Sequence, residues 1–101
     1  GSGPAYFYLL MEHMEQAALD LGLSAELAAA LTRATALGAA RVVFETKGEP
    51  AQLRAAVTSP GGTTAAALHV FETANLRAIV RQALIAARDR SAELGRPVPG
   101  S

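Results

Sequence analysis

An all-α fold is predicted, in which five helices intertwine with those of a second copy to form a helical-bundle homodimer, and three observations predict it. Alanine, the strongest helix former, supplies 23 of the 101 residues, while aromatics reach only 5% and tryptophan is absent. Apolar residues recur at three-and-four spacing, and no segment alternates apolar and polar residues long enough to be a strand. Finally, Gly, Pro, Ser and Asn punctuate the periodic segments at the positions where helices start and stop.

Ser2-Gly3-Pro4 opens the first helix, with Pro4 at a position where its missing N–H costs nothing. That helix runs to about Leu21 and carries Phe7, Leu10, Met11, Met14, Ala18 and Leu21 as its apolar stripe, with Gly22 as the left-handed stop. Ser24 caps a second helix from Ala25 to about Thr46, with Lys47 in its last turn and Gly48 after it. Pro50 starts a short third helix ending near Ala56. In Val57-Thr58-Ser59-Pro60-Gly61-Gly62-Thr63-Thr64 the proline and glycines break any helix, and the threonines can cap a new one from about Thr64 to Glu72. Asn75 caps the fifth, Leu76 to Leu94, which Gly95 terminates. Residues 1–95 thus read as one helical domain and 96–101, with two prolines, as a flexible tail.

The second helix sets the architecture. It is apolar around most of its circumference, so it must be covered on most of it, and four neighbours from a short chain hardly suffice. Ala28, Ala29, Ala30, Ala34, Gly38, Ala39 and Ala40 allow close approach of a partner backbone, which favours an intertwined homodimer over a monomer built around an Ala-rich helix. The same stretch has the length of a membrane span, but Glu26, Arg33 and Arg41 interrupt it. Arg33 alone would cost about 2.5 to 3.5 kcal/mol near a bilayer centre. A helix buried in a water-soluble protein is the expectation.

Nine basic and nine acidic residues cancel, which disfavours nucleic acid and anionic membrane surfaces as partners. With no cysteine there is no disulfide framework, thiolate metal site or cysteine nucleophile, and a cytoplasmic location is expected from that and from the lack of a signal-peptide pattern at the start. His13 and His69 lack a second ligand at i, i+4 spacing, so no metal is expected. Arg77, Arg81 and Arg88 read as a solvated stripe. Only the loop from Ser59 to Thr64 shows a mechanism in its residues. Two glycines let successive amides converge, the following helix start adds unpaired donors and partial positive charge, and Ser59, Thr63 and Thr64 add hydroxyls. By themselves those residues more often make an ordinary tight turn with a threonine cap. No lysine follows the glycines and no strand precedes them, which excludes a P-loop and a dinucleotide fingerprint.

Gly1-Ser2-Gly3-Pro4-Ala5-Tyr6, Leu21-Gly22-Leu23, Gly38-Ala39-Ala40, Val57 to Thr64 followed by Leu68-His69, and Arg90-Ser91-Ala92-Glu93-Leu94-Gly95 occur together and in this order. The combination resembles the C-terminal domain of pyrroline-5-carboxylate reductase. The resemblance implies an all-helical dimerisation domain in an enzyme that reduces 1-pyrroline-5-carboxylate to proline, with a Rossmann domain holding NADPH or NADH. It implies substrate binding by Ser59, Gly61, Gly62, Thr63 and Thr64. Ser59 and the amides around Gly62 and Thr63 would hold the substrate carboxylate, and Thr64 would be the catalytic group, its hydroxyl at the ring nitrogen. Ala55 and Ala56 stand where members often carry polar side chains, so contacts made there in the family do not carry over.

The sequence shows no βαβ pattern, so no nicotinamide cofactor is expected on this chain alone and the cofactor-binding residues are unassigned. The expected partners are a second copy, with higher oligomers left open, and a small carboxylate such as 1-pyrroline-5-carboxylate or proline. The alternative reading is a non-enzymatic helical self-association module with a vestigial anion-binding loop.

Overall fold

A computed structural model describes residues 2–95; the expected tail at 96–101 lies outside the described residues. It consists of five helices: α1 (Gly3–Asp20), α2 (Ala25–Thr46), α3 (Pro50–Ala56), α4 (Thr63–Thr73) and α5 (Leu76–Glu93). The described residues contain no strand. They fall into two compact units, one of residues 3–50 with α1 and α2, the other of residue 2 and the residues from 51 onward with α4 and α5.

In the first unit α1 lies against α2. The end of α1 follows from Gly22, whose φ of 101° permits the Leu23 amide to donate to the Ala18 carbonyl and the Gly22 amide to the Leu19 carbonyl, both at 3.0 Å. This paired closure is the Schellman motif, and it needs a residue without Cβ at the left-handed position. Two residues on, the Ser24 hydroxyl oxygen accepts from the Leu27 amide at 3.2 Å and starts α2. Ser24→Ala is expected to lower stability by about 1 kcal/mol in chemical denaturation, with an unchanged slope against denaturant.

The apolar stripe expected on α1 is only partly engaged. Met11, Glu15 and Ala18 are half-buried, whereas Phe7, Leu10, Met14 and Leu21 are exposed. On α2, Ala28 and Thr32 are buried and Leu27, Leu31, Leu37, Val42, Val43 and Phe44 are exposed. The spacing of apolar residues therefore marks the faces that need cover, and α1 covers only a narrow strip of them. By length and composition α2 is also the one described helix that could cross a membrane.

In the second unit α4 lies against α5. Leu68, Ala78, Ile85 and Ala87 are half-buried and Ser91 is buried, while Val70, Phe71, Ile79, Val80 and Leu84 are exposed. Three helix ends differ in detail from expectation. Lys47, not Gly48, takes the left-handed position after α2, at φ 57°. Gly62 rather than a threonine is the N-cap of α4, which starts at Thr63. Asn75 does precede α5, but in the left-handed region and without a side-chain cap; its carbonyl accepts from Ala78 and Ile79. Asparagine tolerates that conformation better than other residues with a Cβ, so it serves through its backbone instead of its amide side chain.

Candidate anion-binding loop

Two consecutive turns build the loop between α3 and α4. In the first, the Arg54 carbonyl accepts from the Val57 amide at 3.2 Å and from the Thr58 hydroxyl at 2.6 Å. In the second, the Ser59 carbonyl accepts from the Gly62 amide at 3.0 Å. Pro60 stands at its second position and Gly61, at φ 73°, at its third, the arrangement of a type II turn. Gly62 is extended, at φ −86° and ψ −176°, and its carbonyl accepts the Ala66 amide at 3.1 Å.

The turn decides which donors can meet an anion. The two glycines do not converge their amides as expected: only Gly61 is left-handed, and the Gly62 N–H is spent within the turn. The amides of Thr63, Thr64 and Ala65, in the first turn of α4, have no hydrogen-bond partner among the described residues. Neither have the hydroxyls of Ser59, Thr63 and Thr64. Ser59 and Thr63 are exposed, and Gly62, Thr64 and Ala65 half-buried. Three amides at a helix start carry about half a positive charge. The donor set suits a carboxylate, with a neighbouring hydroxyl free to serve a second polar atom. The expected residues Ser59, Gly61, Gly62, Thr63 and Thr64 are thus contiguous in the loop and the helix start. Ala65 joins them; once Gly62 is the N-cap, the rule that the first amides of a helix lack partners brings it in. His69, farther along α4, is exposed. No cluster of metal-ligating side chains occurs among the described residues.

A second polar feature lies in the first unit. An open groove of about 550 Å³ is lined by Tyr8, Met11, Glu12, Glu15, Gln16, Leu19 and Arg33. In it the Arg33 guanidinium donates twice to the Glu15 carboxylate, at 3.0 and 3.2 Å. That hydrogen bond, and then the carboxylate's charge, holds Arg33 still more firmly protonated. With its acceptor and donors matched to each other, the pair serves to hold α1 on α2.

Residues 1–94 match the model of the family described as pyrroline-5-carboxylate reductase dimerisation. A pyrroline-5-carboxylate reductase of Pseudomonas aeruginosa is 56% identical over 94 residues, which cover 93% of this chain and 34% of that protein. The Arabidopsis thaliana reductase is 46% identical over the same share of each. Among solved structures, a pyrroline-5-carboxylate reductase from Coxiella burnetii superposes with a TM-score of 0.89 at 53% identity, covering 93% of this chain and 35% of that one. A Plasmodium falciparum pyrroline carboxylate reductase with NADP bound gives 0.90 at 36% identity, covering 94% and 36%. The chain spans about a third of the length of the relatives it matches. It belongs to the pyrroline-5-carboxylate reductase dimerisation family.

Proposed function

We propose that this chain is the homodimerising and substrate-carboxylate-binding part of a reductase that converts 1-pyrroline-5-carboxylate to proline with NADPH or NADH. The observation that carries this reading is the row of unpartnered amides at Thr63, Thr64 and Ala65 beside the Ser59 hydroxyl, in a chain of this family. The substrate carboxylate sits on those amides and on Ser59, with Gly61 and Gly62 shaping the turn that presents them. The Thr64 hydroxyl stands at the ring nitrogen, where it orients the imine and steers a proton to it as the adjacent carbon takes up hydride. NAD(P)H supplies that hydride. The described residues offer no strand-to-helix crevice for a dinucleotide, so in this reading the cofactor docks on the part of the longer relatives outside this chain.

The exposed apolar faces of α1 and α2 give the second half of the proposal. A second copy covers them, intertwined through α2, and larger assemblies can be built from that dimer. Such a protein works in the cytoplasm.

Titration with proline, followed by amide chemical shifts, tests the site. Thr63, Thr64 and Ala65 are expected to shift and saturate in the millimolar range or above, since the chain presents only part of the site. Thr64→Ala is expected to leave the fold intact and weaken proline binding by about two- to tenfold, the effect of one hydrogen bond. Saturable shifts elsewhere, with these three amides unmoved, would exclude the loop as the carboxylate site.

A further inference from the structure

We propose that Arg54 is a positioning residue for the anionic ligand: its guanidinium supplies the formal positive charge that draws a carboxylate to the loop. This rests on the reading of Thr63 to Ala65 as the carboxylate site. The donors of that site are neutral amides and hydroxyls, and between Pro50 and Leu68 Arg54 is the only side chain that carries a charge. It is exposed, and no carboxylate pairs with it among the described residues. Arg88 and Arg90, by contrast, are engaged by Asp89 and Glu93. The charge is therefore uncompensated.

The backbone bounds how far the Arg54 Cα stands from the start of the loop. The Arg54 carbonyl holds both the Val57 amide and the Thr58 hydroxyl, and the Ser59 carbonyl holds the Gly62 amide. Two hydrogen-bonded turns thus replace what could be an extended run of residues. From bond lengths and the 2.6 Å contact of Thr58, the Arg54 and Ser59 Cα atoms lie within about 11 Å of each other. That span is comparable to the Debye length of about 10 Å at 0.1 M salt; in this proposal the flexible guanidinium turns toward the loop, where it would act on an anion at low salt and be screened at high salt. The site is consequently selective for anions over neutral isosteres through two separable sources, the directional amides and a non-directional cation.

The test is a titration of the chain with cyclopentanecarboxylate, an anion of proline's shape without its ammonium, followed by amide shifts, for wild type, Arg54→Gln and Arg54→Lys at about 20 mM and 500 mM salt. Arg54→Gln is expected to raise the half-saturation concentration by about two- to threefold at low salt and leave it unchanged at high salt. Arg54→Lys is expected to retain wild-type affinity, because only charge is required. Equal affinity of Arg54→Gln and wild type at low salt, with Thr63 to Ala65 still responding, overturns the role of Arg54 and leaves the site standing. A loss of affinity in Arg54→Gln that persists at high salt, or that Lys fails to restore, also overturns it, since the effect would then be structural. Absence of any response at Thr63 to Ala65 in wild type overturns the site itself.

Discussion

Sedimentation of this chain at micromolar concentration is expected to give twice its 10.4 kDa mass, and Leu31→Glu is expected to abolish that dimer together with cooperative thermal unfolding. Leu31 is 51% exposed in the single chain although it stands well inside the longest helix, and Leu27 one turn earlier is 48% exposed. A leucine transferred from water into a contact contributes about 1.5–3 kcal/mol. The row of exposed apolar residues on α2 therefore represents far more stabilisation than its packing on α1 collects. A glutamate at the same place reverses the sign, because an unpaired carboxylate in an apolar contact costs several kcal/mol. The control is Glu26→Gln in the first turn of the same helix, which should keep the dimer. A folded wild-type monomer, or a Leu31→Glu variant with the dimer mass and melting temperature of wild type, would rule out α2 as the shared core.

The helices and most of their ends were legible because their causes are local. Gly22 and Ser24 act within a few residues of themselves, through the left-handed dihedral and the cap to Leu27. The pairing of Glu15 with Arg33 was not legible. Those residues are 18 apart in sequence, on two helices, and only the way α1 lies on α2 brings them together. The sequence shows Arg33 as a charge interrupting an apolar run and does not show what compensates it. In the loop the residue types announce a turn and a helix start, but not which glycine is left-handed or which amide the turn consumes. Those depend on the Ser59 carbonyl accepting from the Gly62 amide, a pairing the residue types alone do not specify. Faces needing cover were legible as a pattern on α1, but which part of the pattern α2 covers was not. Phe7 and Met11 belong to the same stripe, yet only Met11 is half-buried.

The register of the turn sets the second large expectation: Gly61→Val should damage carboxylate binding more than Gly62→Ala. Gly61 sits at φ 73° with no atom near an added Cβ, so the obstacle to a side chain there is the dihedral and not the space. A residue with Cβ in the left-handed region costs about 1–2 kcal/mol, and the β-branch of valine aggravates that. The chain can escape only by opening the type II turn, which releases the Gly62 amide from Ser59 and reorients the first turn of α4. At Gly62 the dihedrals suit any residue, and the obstacle is instead the Ser59 carbonyl oxygen, 3.2 Å from an added Cβ. A few tenths of an ångström of movement accommodate alanine. Gly61→Val is therefore expected to lower stability by about 1–2 kcal/mol and to weaken proline binding about tenfold or more, as two amide hydrogen bonds are misaligned. Gly62→Ala should lose less than about threefold in binding. The measurement is the proline-dependent shift of the Thr63, Thr64 and Ala65 amides in each variant. If Gly61→Val keeps the wild-type half-saturation at those amides, the turn is not what presents the donors.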